Sequence, residues 1–164
     1  MTKASLKPIA KPPVRIHSLE VVLTNGPVSE KFADKNPMVS RTIQIRGDQT
    51  LEELHEAIFH AFGRYDEHLY EFQFGQRPMD RRGNRYVAPG VGDEDPDAFP
   101  ADETTIDSLE LKTRKRFFYW FDFGDDWMHQ IVVKAIEPGT ARGKYPKLIA
   151  KVGKNPPQYD GEQW

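Results

Sequence analysis

The chain has 164 residues, 38% of them hydrophobic, with no cysteine and a formal net charge of -2. That length suits one domain with a sizeable core. The lack of cysteine excludes disulfides and thiolate metal ligands and fits a reducing cytoplasm, and no run approaches the ~20 apolar residues of a membrane span. The charge is uneven: Asp93, Glu94, Asp95, Asp97, Asp102 and Glu103 place -6 between positions 93 and 103, which leaves +4 on the remainder.

Met1 to Pro13 holds lysines without the apolar centre of a secretory signal, and reads as a disordered tail ahead of a single domain over 14–164. Ile16 to Thr24 reads as a first strand, broken by Asn25-Gly26-Pro27, and the segment to Pro37 as a polar connection. Val39 to Arg46 alternates, with Val39, Arg41, Ile43 and Ile45 on one side, as a half-buried strand does. Thr50-Leu51-Glu52-Glu53 is a capping box. It opens a helix from Leu51 to about Phe62, whose stripe of Leu51, Leu54, Ala57, Ile58, Ala61 and Phe62 is predicted to pack on the sheet. Gly63 is placed to end that helix in the left-handed conformation.

Leu69 to Gly75 reads as a third strand. Residues 76–103, rich in Pro, Gly, Arg and Asp, read as a long irregular excursion, predicted to be the most mobile internal segment. Thr105 to Leu111 resembles a short turn. Phe117 to Val133 is the most apolar window: aromatic and β-branched residues flank a Gly-Asp turn, the signal of a hairpin at the centre of the sheet. Residues 144–164 are expected to wrap the surface in extended form. The order of elements predicts an α+β fold, a mixed β-sheet with one main helix packed on it, in a β-grasp-like order around a central aromatic β-hairpin.

Chemistry-bearing residues gather in the same window. With Gly124-Asp125 as a two-residue loop, Asp122 and His129 become diagonal neighbours on one face and are expected to hydrogen-bond. An Asp125-Asp126 loop would set them directly opposite, and a three-residue loop would separate them onto different faces. The alternative for Asp122 and Asp125 is simple turn capping. His55 and His68, on the helix and at the start of the third strand, are expected to approach His129 if a pocket exists. Three histidines and two carboxylates would suit a divalent metal such as Zn²⁺ or Mn²⁺, with His55, His68 and His129 as ligands. Arg77, Arg81, Arg82 and Arg85 form a basic cluster that could meet nucleic acid, and Lys112, Arg114, Lys115 and Arg116 another. No P-loop, dinucleotide fingerprint, nucleophile elbow or zinc-protease motif is present.

Three stretches carry a family resemblance: Leu51 to Gly63 continuing to His68-Leu-Tyr-Glu-Phe72; Phe121-Asp-Phe-Gly-Asp-Asp-Trp-Met-His129; and Tyr145-Pro146 with Pro156-Pro157. On them the chain resembles the plasmid pRiA4b ORF-3-like family (the MM3350-like domain), also met as passenger proteins of insertion elements. The resemblance implies that His55, His68, Asp122, Asp125, Trp127 and His129 stand at motif positions. Many relatives carry cysteines near the positions of Leu148, Asn155 and Asp160, and this chain has none. The first functional reading is a non-enzymatic accessory module of plasmids or mobile elements, contacting a protein or nucleic-acid partner. The alternatives are a metal-dependent or acid–base enzyme with a His/Asp site, and nucleic-acid binding through the arginines.

Overall fold

Runs of β-branched and aromatic residues pair into one sheet in the computed structural model, which describes residues 13–91, 95–140 and 142–159. Among the described residues there are eight strands: β1 (Arg15–Asn25), β2 (Ser40–Arg46), β3 (Tyr70–Gln73), β4 (Arg85–Val87), β5 (Phe99–Pro100), β6 (Arg116–Phe121), β7 (Trp127–Pro138) and β8 (Lys147–Val152). Their order is β5-β4-β3-β6-β7-β1-β2-β8. Every junction is antiparallel except the parallel β4–β5 pair. The fold is the expected α+β class, and the aromatic β6–β7 pair lies in the middle of the sheet. No helix among the described residues is long and apolar enough to cross a membrane.

The main helix is α2 (Leu51–Ala61); a short helix, α1 (Glu30–Lys35), precedes it in the chain. The capping box closes as its residues require. The Thr50 hydroxyl accepts from the Glu53 amide, and the Glu53 carboxylate accepts from the Thr50 amide, both at 3.3 Å. Leu51, Leu54 and Ile58 are fully buried and join Leu19, Ile43, Tyr119 and Ile131 of the sheet in one core. Ile58→Val, which removes one methylene from that contact, is expected to cost about 1 kcal/mol in urea denaturation. A change below a few tenths would place the side chain outside the core.

Three sequence expectations are corrected. The connection before Pro37 contains α1, whose Ser29 hydroxyl accepts from the Phe32 amide at 3.1 Å; with no buried residue it leaves no apolar stripe to read. The stretch 76–103 is not an irregular excursion throughout. Tyr86 and Val87 in β4, Phe99 in β5 and Ala101 in a 3-10 turn have apolar side chains to cover, and Tyr86 packs on Phe74 and Phe99 with ring centroids 5.3 and 5.4 Å apart. Within 144–159 the chain is more than a wrap, because β8 adds to the sheet beside β2. Residues 1–12, 92–94 and 160–164, on which parts of these expectations fall, lie outside the described residues.

Candidate functional site

The β6–β7 register decides what the site residues can do. Phe121 pairs with Trp127, Trp120 with Met128 and Tyr119 with His129, one residue away from the register that a Gly124-Asp125 loop requires. Gly124 does not take the left-handed conformation of such a turn; Asp122 and Asp126 do, at φ 62° and 55°. The Asp122 carboxylate accepts from the Gly124 and Asp125 amides at 3.1 and 3.2 Å, and the Asp126 amide donates to the Asp122 carbonyl at 2.7 Å. This side-chain capture widens the turn to residues 122–126, the behaviour typical of an Asx turn. The expected Asp122–His129 hydrogen bond is therefore absent, and the capping role holds for Asp122. Phe117, Tyr119 and Phe121 instead share the helix-covered face with Trp127, His129 and Ile131, all buried.

On that face His129 is fully buried and closed in. Its Nε2 lies 2.7 Å from a terminal nitrogen of Arg64, and its Nδ1 lies 3.0 Å from the Tyr119 carbonyl. Arg64 can only donate, so Nε2 accepts and Nδ1–H donates to the carbonyl, which fixes a neutral ring. Burial, with the Arg64 charge beside it, pushes the His129 pKa well below the usual histidine range. A base with its lone pair occupied and no solvent contact neither abstracts a substrate proton nor binds an ion.

Arg64 is the residue that local sequence reasoning missed. It follows the helix end, where the Arg64 amide donates to Phe59 and the Gly63 amide to His60, both at 3.0 Å, around Gly63 at φ 68°. This is a Schellman motif, whose residue after the glycine ordinarily packs an apolar side chain back on the helix. Here an arginine occupies that position, which is the one local signal that could have marked it as buried. Its guanidinium lies 4.9 Å from the Phe62 and Phe121 ring centroids and 5.1 Å from that of Trp127. Burial lowers its pKa to about 10, still high enough for a full charge at neutral pH. Its other terminal nitrogen, Nη1, and Trp127 Nε1 are buried without a protein acceptor among the described residues.

His55 forms the second closed unit. Its ring stacks on Tyr70 at 3.7 Å between centroids and 9° between planes. Nδ1 lies 2.6 Å from the Tyr119 hydroxyl and Nε2 lies 3.2 Å from the Glu67 carboxylate. The assignment that satisfies every proton has Tyr119 donating to Nδ1 and Nε2–H donating to Glu67. Burial, reinforced by the Arg64 charge, lowers the His55 pKa to about 3, and burial raises those of Tyr119 and Glu67. His55 and His129 thus grip opposite ends of Tyr119, its hydroxyl and its carbonyl.

His68, on the same cluster of rings, is one-third exposed. Its Nε2 lies 2.7 Å from the Tyr159 hydroxyl, 3.4 Å from Asp122 and 3.5 Å from Asp66. The Tyr159 hydroxyl also donates to Asp66, a bond that pushes its pKa up to about 12. Gln158 fastens this end of the chain: its carbonyl accepts from the Tyr65 and Asp66 amides at 2.9 and 3.1 Å, and its amide donates to the Asp66 carbonyl at 2.8 Å. The Phe121 ring lies 6.0 Å from His55 and 5.9 Å from His68 between centroids, so the three histidines gather around Tyr119 and Phe121 with aromatic rings between them. The expected metal trio is not assembled. Among the described residues no group of three or more His, Cys, Asp or Glu side chains is placed to hold one ion.

The arginine cluster is also divided. Arg85 is half-buried between Glu71 at 2.8 Å and Asp95 at 2.7 Å, which removes it from any free basic patch, and Arg82 pairs with Asp80 at 3.0 Å. A fully buried second arginine, Arg41, reaches the Ala61 carbonyl at 2.9 Å, the Val152 carbonyl at 2.8 Å and Asn155 at 2.6 Å, and so ties β2 to the end of α2 and to the C-terminal segment. Its place on the apolar side of the β2 alternation was the signal of its burial. A shallow cleft of about 410 Å³ opens near the start of β1, lined by Arg15, Leu111, Lys112, Ile136 and Glu137 among others.

Residues 29–163 match the family described as plasmid pRiA4b ORF-3-like protein. The chain belongs to this family. An uncharacterized protein of Sinorhizobium fredii, y4hQ, is 30% identical over 131 residues, a match that spans 78% of this chain and 62% of the relative's length. Among solved structures, the crystal structure of MM3350 from Methanosarcina mazei Go1, a protein of unknown function, superposes with a TM-score of 0.63 and 22% identity over 85% of this chain and 70% of that one. At that identity the likeness speaks for the fold of the pRiA4b ORF-3-like family and for nothing beyond it.

Proposed function

We propose that the chain is a non-enzymatic binding module, an accessory protein of plasmids or other mobile elements that acts in the cytoplasm. One observation carries this reading: the groups with chemical potential on the β6–β7 face are closed on one another. Both ring nitrogens of His129 and of His55 have protein partners, and Asp122 caps its own turn. The network holds the sheet and α2 in a fixed relation, which suits a scaffold for surface contacts. The plasmid description of the family and the absence of cysteine agree with it.

The competing reading, an acid–base or metal-dependent enzyme, draws on His68, which is partly exposed beside Asp66, Asp122 and Tyr159. Elemental analysis after purification, followed by titration with Zn²⁺ and with Mn²⁺, separates the two. The expected result is no stoichiometric metal. One tightly held equivalent that His68→Ala releases, in a chain that stays folded, would replace the binding module by the metal enzyme.

A further inference from the structure

The two edges of the sheet are treated differently. At one end β5 is only Phe99–Pro100, and Pro100 has no amide to offer a further strand. At the other end β8 runs for six residues, Lys147 to Val152, pairs among the described residues only with β2, and is exposed at every position. Leu148, Ile149 and Val152 are 46%, 48% and 50% exposed, and Met38 beside Gly153 is 53% exposed. An open backbone edge flanked by apolar side chains is a template for one more strand.

Charge selects the occupant. From position 139 to position 159 there is no Asp or Glu, while Arg142, Lys144, Lys147, Lys151 and Lys154 all fall in this stretch. A second copy presenting the same strand would set lysine-rich edges against each other. We propose that the β8 edge binds an extended peptide segment of a partner protein that carries acidic and apolar residues on both of its faces and adds as a ninth strand. The register shift between Thr42 and Ile43 sets Lys147 with Val152 on one face of β8 and Leu148 with Lys151 on the other. The peptide backbone supplies the ladder hydrogen bonds, and on each face a carboxylate meets the lysine while an apolar side chain covers its neighbour. The surface lies away from the closed His55–Tyr119–His129 network and needs none of its groups. The inference rests on the binding-module reading, but metal content and peptide binding are measured independently, so either can fail alone.

The test uses the full chain and two blocked decapeptides, one repeating Glu-Glu-Val-Val and one repeating Lys-Lys-Val-Val so that each face carries both residue types, followed by amide hydrogen exchange and NMR titration. The Glu/Val peptide is expected to bind with a Kd below about 1 mM, to slow exchange within 147–152, and to leave the amides of β6 and β7 unchanged. Lys147→Glu with Lys151→Glu, both on exposed positions, should weaken it about tenfold or more and shift the preference to the Lys/Val peptide. No saturable binding of the acidic peptide, or protection outside β8, would overturn the proposal. So would an oligothymidylate that binds more tightly and shields the same amides, which makes the edge a nucleic-acid surface. Edge amides already protected in the free chain, or a sedimenting dimer dissolved by the double charge reversal, would assign the edge to the chain itself and equally overturn it.

Discussion

Replacing Arg64 by Ala is expected to destabilise the fold by roughly 3–5 kcal/mol. Truncation empties the space between Phe62, Phe121 and Trp127, whose rings all lie about 5 Å from the guanidinium. It also leaves the fully buried Nε2 of His129 without its donor. Release of a desolvated cation works in the opposite direction, because a buried arginine without a carboxylate partner is costly to hold. The balance is read from Arg64→Met, which refills the volume without the charge and should cost only about 1–3 kcal/mol, the penalty of the orphaned acceptor. Urea denaturation of both variants checks the pair of values. An Ala variant within about 1 kcal/mol of the parent would mean that Arg64 is not held among the rings; a Met variant as weak as the Ala variant would mean that the charge, rather than the volume, is what the core needs.

The unfolding free energy should fall by roughly 4 kcal/mol between pH 7.5 and pH 5. The cause is His55 and His129, which folding holds neutral, with pKa values lowered to about 3 and well below the usual range. In the unfolded chain both return to about 6.5. A histidine with a depressed folded pKa contributes its full stability above the unfolded value and loses it as pH falls below that value, since only the unfolded state takes up the proton. Each ring then removes about 1.4 kcal/mol per pH unit. His17, fully buried with a lowered pKa, adds to the same side. Glu52 and Glu67, whose pKa values are raised, act in the opposite sense and gain protons on folding, but both keep contact with solvent, which screens the effect. Denaturation at pH 7.5, 6 and 5 gives the proton uptake directly, and His55→Gln should reduce it by about one. A flat profile over that interval would show that the two rings are not neutral in the fold.

Local signals were legible because they act over a few residues: the capping box at Thr50 and Glu53, the α2 stripe, the alternation of β2 and the aromatic run of β6 all fold as read. The turn between β6 and β7 was misread because glycine was given the decisive role. A carboxylate that accepts two amides competes with a two-residue loop, and a shift of one residue moves every side chain of a strand to the other face. That single shift separated Asp122 from His129 and placed Tyr119 opposite His129 instead.

The sequence by itself determined the α+β class, the family, the extent of the main helix and the set of histidines and aspartates worth following. Periodicity and capping act along the chain, and each residue carries its own propensity wherever it lies. The tertiary structure alone decided which groups are available. Arg64 and His129 are 65 positions apart, His55 and Tyr119 64, and Arg41 and Val152 111, and burial of these contacts removes their polar atoms from water. A histidine becomes a closed structural ring instead of a ligand when its two nitrogens meet partners from a strand and from the loop after α2, and no local pattern records such a meeting. The same holds for β8, whose six residues read as surface wrap in sequence and became an open, basic edge only because β2 stood beside them.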